Sequence, residues 1–235
     1  MKQVAAVQLV GNAAALWLGY YWLSVGEARA GLLVWSFAVA LVTAVFFLWL
    51  HGAGLIHGRS PHASPFAAAL RHLPALLVAA MLLLLLYILL GRLEQLCNDP
   101  SFKFASWMTL KLRKPIKPAT ILRCVSVFFW FLRWIVIPIL LMPWLRNIAI
   151  NSFAGFKPAH APRTWLDRLL TPVLLLCALW LPLRILAWRP IMSNFALEMT
   201  SFIIRALIAY LLFAGGLLFL EGLPTLLARK HAVAA

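Results

Sequence analysis

Four histidines, His51, His57, His62 and His72, crowd one short stretch of the chain, and neutral imidazole is the commonest protein ligand for transition metals. His51 and His72 are the metal candidates among them, because each abuts a predicted helix end and both would share one membrane face. The surrounding text lacks the marks of a metal centre: it has no H-E-x-x-H pair and no nearby acid. Ordinary loop histidines, with no metal or other cofactor, are therefore the expectation.

Anion binding is the second chemistry on offer. The segment "FKFASWMTLKLRKPIKP" (102–118) supplies Lys103, Lys111, Arg113, Lys114 and Lys117, and Arg123 and Arg133 follow. Each cation near a bilayer surface attracts anionic headgroups by about 1 kcal/mol, so these seven residues form the predicted lipid- or partner-binding belt.

Ionisable residues inside apolar runs are the third possibility, since a charge in lipid is costly and is retained for a reason. Arg184, Glu198 and Arg205 are of this kind. Glu198 and Arg205 are seven residues apart and would share one face of the last helix. Together with Arg133, the arginines could receive an anionic or amphiphilic solute. "LLMPWLRNI" (140–148) and "LWLPLRIL" (179–186) each join a proline to an arginine, as discontinuous transporter helices do.

Catalytic equipment is sparse. The six acids, Glu27, Glu94, Asp99, Asp167, Glu198 and Glu221, are scattered, and no nucleophile motif or phosphate-cradling glycine loop appears. A lipid-modifying enzyme would need the histidine loop to hold a metal. Cys97, Cys124 and Cys177 form no C-x-x-C pair, so neither a disulfide framework nor a zinc site follows.

The elements that must position these residues are set by composition. Of 235 residues, 64% are hydrophobic and 11% charged, with mean hydropathy +0.94. A soluble surface needs roughly a quarter charged, so most of this surface must face lipid. The net charge of +15 then reads as membrane-surface rather than nucleic-acid charge.

Apolar runs at 4–24, 31–50, 73–90, 169–188 and 200–220 each approach the length needed to cross a hydrocarbon layer of about 30 Å. Gly91 and Arg92 would end the third run, and "CNDPS" (97–101) would turn the chain. Gly11, Ala15 and Gly19 make a small-residue stripe for helix packing, with Gln8 and Asn12 beside it as interhelical hydrogen-bond partners. Apolar residues alternate over 102–112, a strand-like pattern that cannot stand alone in lipid and is assigned to a surface amphipathic element.

The run 127–146, "VFFWFLRWIVIPILLMPWLR", decides the topology, because Arg133 would cost about 2.5–3.5 kcal/mol at the bilayer centre and no acid lies within the run. Placing it at the interface leaves only Lys2, Arg59, Arg71, Arg184, Arg189 and Arg205 outside, of 21 lysines and arginines, which satisfies the positive-inside rule. Letting it cross spreads them almost evenly.

The sequence therefore predicts an all-α, polytopic membrane bundle in a single domain, 1–235. It would have about five transmembrane helices and one interfacial or re-entrant segment, with six helices as the alternative, and with 92–168 facing the cytoplasm. The functional expectation is a non-catalytic inner-membrane subunit or scaffold that binds anionic lipid, a membrane-protein partner or a second copy of itself. A small transporter is the other reading.

Overall fold

The computed structural model describes residues 2–26, 29–58, 64–157, 165–188 and 194–234, with side chains among these placed over 3–223. His62 and Glu27 lie outside the described residues. Every regular element among those described is helical: α1 (Lys2–Ser24), α2 (Ala30–His57), α3 (Pro65–Leu96), α4 (Asn98–Leu112), α5 (Pro118–Phe131), α6 (Ile137–Asn151), α7 (Trp165–Leu175), α8 (Leu181–Ala187) and α9 (Phe195–Ala234). The expected all-α bundle is what forms.

Among the described residues, six continuous helices are long and apolar enough to cross a membrane: Gln3–Ser24, Ala30–His57, Pro65–Leu112, Pro118–Phe156, Trp165–Ala187 and Phe195–Leu223. The stretch 127–146 is part of the fourth of these, so by length and composition the count matches the six-helix alternative. Pro138 does not break it, because a wide turn of π-helix, Leu132–Val136, precedes that proline. The extra residue per turn absorbs the missing N–H and the ring. Leu176–Trp180 does the same before Pro182. The feature the two segments share is thus a π turn before Pro138 and before Pro182; Pro143 lies inside α6 with no such turn of its own.

Two sequence expectations fail between 91 and 112. The third helix does not stop at Gly91, and the supposed turn at 97–101 is the joint where α4 resumes: Cys97 keeps helical dihedrals and its N–H bonds Leu93 O at 3.1 Å. Pro100 falls in the first turn of α4, where backbone N–H groups have no intrahelical acceptor to lose, and Asp99 suits the positive helix start. The strand-like alternation after it is wound into helix. Arg113, in the left-handed region at φ 49°, then reverses the chain. The Ile116 N–H donates to Thr109 Oγ1 at 3.1 Å across the turn, and α5 begins at Pro118, where the fixed φ suits a helix start. Helices α4 and α5 so form a hairpin.

Packing relies on small residues, which let backbones approach. Ala53, Ala69, Ala75, Ala79 and Ala149 are fully buried between α2, α3 and α6. Ala178, in the second π turn, joins Met142 of α6 to Leu217 and Leu220 of α9, with Leu174 and Leu175 of α7 packed beside them.

The bundle has two ends. At the first, Gln8 meets Glu221, His72 meets Ala149 and Arg146 meets Asp167. At the second, Trp22 meets Ser36, Arg133 meets Glu94 and Arg205 meets Trp188. Consecutive membrane-length helices therefore run in alternating directions.

Candidate functional site

The most concentrated polar chemistry is buried near the first end, where α1, α2 and α9 converge. Glu221 comes from α9 and is 5% exposed; Gln8 and Asn12, one turn apart on α1, are 1% and 0% exposed. His51 on α2 joins them. Its Nδ1 lies 2.5 Å from Glu221 Oε1 and its Nε2 lies 3.0 Å from Asn12 Oδ1. The Gln8 Nε2 amide donates to Glu221 Oε2 and, at 3.4 Å, to Leu50 O. Phe47 lies over the imidazole with ring centroids 4.2 Å apart.

Glycine makes room for this carboxylate. A Cβ on Gly54 would overlap Glu221 Oε2 and Gln8 Nε2, and one on Gly58 would overlap Glu221 O. Helix α2 thus shows bare backbone to α9 at two successive turns, as close helix pairs in lipid do. A second ionic group braces the same end: Arg146 on α6 donates through Nη1 to Asp167 Oδ1 at 2.8 Å and through Nη2 to Leu220 O at 3.0 Å.

Two pockets flank the His51 pair. A small one of about 70 Å³ is lined by Val4, Gln8, Gly54, His57, Gly58 and Glu221 among others. Within its lining residues, the buried His57 Nδ1 has no hydrogen-bond partner. A larger apolar pocket of about 350 Å³ runs along Asn12, Leu16, Gly19, Trp22, Ala44, Phe47 and Phe213. From Asn12 to Trp22 it follows α1 for about 15 Å toward the second end. Asn12, with its Nδ2 unpartnered, stands at the junction.

The residues singled out in the sequence are distributed as follows. His51 is not a loop histidine, because α2 continues through His57 and carries it into the cluster. His72 spends its Nδ1 on Ala149 O at 2.7 Å, so the two metal candidates serve different partners. Among the described residues no group of three or more His, Cys, Asp or Glu side chains could hold a metal ion. Gly11 and Ala15 do face α2: a Cβ on Gly11 would sit 2.8 Å from Leu50 Cδ1, and Ala15 is buried. Gly19 instead opens on the large pocket, with nothing within 4 Å.

Arg133 acquires the acid its own run lacks, donating from Nη2 to Glu94 Oε2 at 2.8 Å. Along α3, Glu94 stands about 33 Å from His72, a full hydrocarbon thickness from the first end. The pair thus marks the second end of the bundle and not its middle.

The remaining belt residues, Lys103, Lys111, Arg113, Lys114, Lys117 and Arg123, are all exposed on the α4–α5 hairpin. Glu198 and Arg205 form no pair. Glu198 is exposed, while Arg205 turns back to Ser201 O at 3.2 Å and to Trp188 O. Arg184 stacks on Trp180, 5.2 Å from the ring centroid.

Fold and site together define a multi-pass, all-α membrane bundle with a buried carboxylate–imidazole pair at one end and a basic hairpin at the other. Compared with protein-family models, curated proteins and solved structures, the chain finds no match. Its role is therefore argued from these residues alone.

Proposed function

We propose that the protein is a non-catalytic membrane subunit or scaffold whose α4–α5 hairpin docks on anionic lipid headgroups. One observation carries this reading. The hairpin gathers six exposed cations among exposed Phe102, Phe104, Trp107, Leu110 and Leu112, all on the α4 side of the Arg133–Glu94 pair that marks the bundle's second end. Aromatic rings suit the headgroup boundary, and long cationic side chains reach from it into phosphate. A bacterial-type inner membrane fits this reading, as does an acidic membrane-protein partner on the same surface. The transport reading draws no support from Arg133, Arg184 and Arg205, because each engages a local group.

The test uses the full chain in nanodiscs with an environment-sensitive dye at Ser106→Cys. Replacing neutral by anionic lipid is expected to shift the dye toward an apolar environment. Salt at about 1 M, where the screening length is about 3 Å, is expected to reverse the shift, as is changing Lys103, Lys111, Lys114 and Lys117 to Gln. A shift that ignores both salt and lysine content sinks the reading.

A further inference from the structure

We infer that the large pocket between α1, α2 and α9 binds an uncharged, carbonyl-bearing amphiphile from the bilayer, and that His51 sets the hydrogen-bonding character of the pocket's polar end. This is independent of the hairpin. At about 350 Å³ the pocket falls within the range of small-molecule sites. Its wall reaches the lipid-facing surface at Leu16, which is 51% exposed. The lining is apolar apart from Asn12 and Thr43, and the Thr43 hydroxyl is already donated to Val39 O at 2.8 Å. Asn12 is 0% exposed, yet its Nδ2 has no acceptor. A ligand carbonyl would supply one.

The orientation of the Asn12 amide follows from the two contacts of the imidazole. With both ring nitrogens protonated, Nδ1–H donates to Glu221 and Nε2–H donates to Asn12 Oδ1, leaving the Asn12 Nδ2 donor for the pocket. When Nε2 loses its proton, its lone pair faces Asn12, and the amide must turn over so that Nδ2 donates to it. The pocket then meets Oδ1, an acceptor that a carbonyl cannot pair with. The carbonyl ligand therefore selects the forms in which Nε2 keeps its proton, whether the proton shared between Nδ1 and Glu221 sits on the ring or on the carboxyl. The groups that set this equilibrium are Glu221 on α9, Gln8 on α1, His57 on α2, and the Arg146–Asp167 pair of α6 and α7, which reaches Leu220 O.

The test is photo-crosslinking of the full chain in nanodiscs with the methyl ester of a diazirine-bearing fatty acid, mapped by peptide mass spectrometry. The probe is expected to mark Leu16, Ala40 or Ala44, and to be displaced by unlabelled methyl ester more effectively than by an alkane of equal length. Asn12→Leu is expected to weaken it by about fivefold, the fold-change of one net hydrogen bond. Gly19→Leu, which fills the pocket without touching the polar cluster, is expected to abolish it. Crosslinks spread over the lipid-facing surface and unmoved by Gly19→Leu would overturn the site. Pocket crosslinks undiminished by Asn12→Leu would overturn the part given to the polar end.

Discussion

Gly54→Ala is the sharpest perturbation of the buried cluster. The added methyl would occupy the space now held by Glu221 Oε2 and Gln8 Nε2, so either the carboxylate leaves its partners or α2 and α9 separate. Overpacking a fitted interior costs about 1–3 kcal/mol, and each buried polar group left unpaired adds about 1–3 kcal/mol. Alanine's better helix propensity returns about 0.8–1 kcal/mol. With one group unpaired the net loss is about 1–5 kcal/mol, which for a chain of this size lowers the unfolding midpoint by about 2–20 °C. The control is Gly19→Ala, where nothing lies within 4 Å of the new methyl and only the propensity gain applies. Thermal unfolding of both variants in one detergent, followed by circular dichroism, measures the difference. The reasoning is refuted if Gly54→Ala unfolds with the wild type, or if Gly19→Ala loses as much.

Three further outcomes are expected. In a background without Cys97, Cys124 and Cys177, single cysteines at Ser106 and Lys157, which lie at opposite ends of the bundle, will show opposite labelling by a membrane-impermeant thiol reagent in intact cells; matching labels would mean that 118–156 does not cross. Arg113→Gly will raise the unfolding midpoint, since a non-glycine residue in the left-handed region at φ 49° costs about 1–2 kcal/mol, while the loss of one cation weakens anionic-lipid docking. A double-mutant cycle on Arg133 and Glu94, whose side chains are 28% and 26% exposed, will give a coupling of about 0.2–1 kcal/mol as for water-accessible pairs; a coupling of several kcal/mol would place the pair in the hydrocarbon.

The helices themselves are legible in the sequence because their apolar runs have membrane length, and Gln8 with Asn12 reads correctly as an interhelical hydrogen-bonding set. The partners of that set are not legible, since His51 and Glu221 are separated by 170 residues and no local pattern joins them. One signal was available: Glu221 stands alone as an acid in "LLFLEGLP" (217–224), and a buried acid in lipid requires a partner. The course of 91–118 misleads for a different reason. Alternating apolar residues resemble a strand on any one-dimensional reading, but lipid forbids an unpaired strand and the preceding helix supplies the register to continue. Arg133 misleads because its partner, Glu94, belongs to another helix.

The convergence of α1, α2 and α9 also fixes when the molecule can be finished. Gln8 and His51 are synthesised early, and Glu221 follows Gln8 by 213 residues. At about 5–20 residues per second, translation alone keeps His51 waiting roughly 10–30 s for its carboxylate. During that interval the first two helices carry an imidazole and two amides without their final partner. A chain that stalls before α9 keeps them in that condition, with polar side chains facing lipid that only α9 can pair.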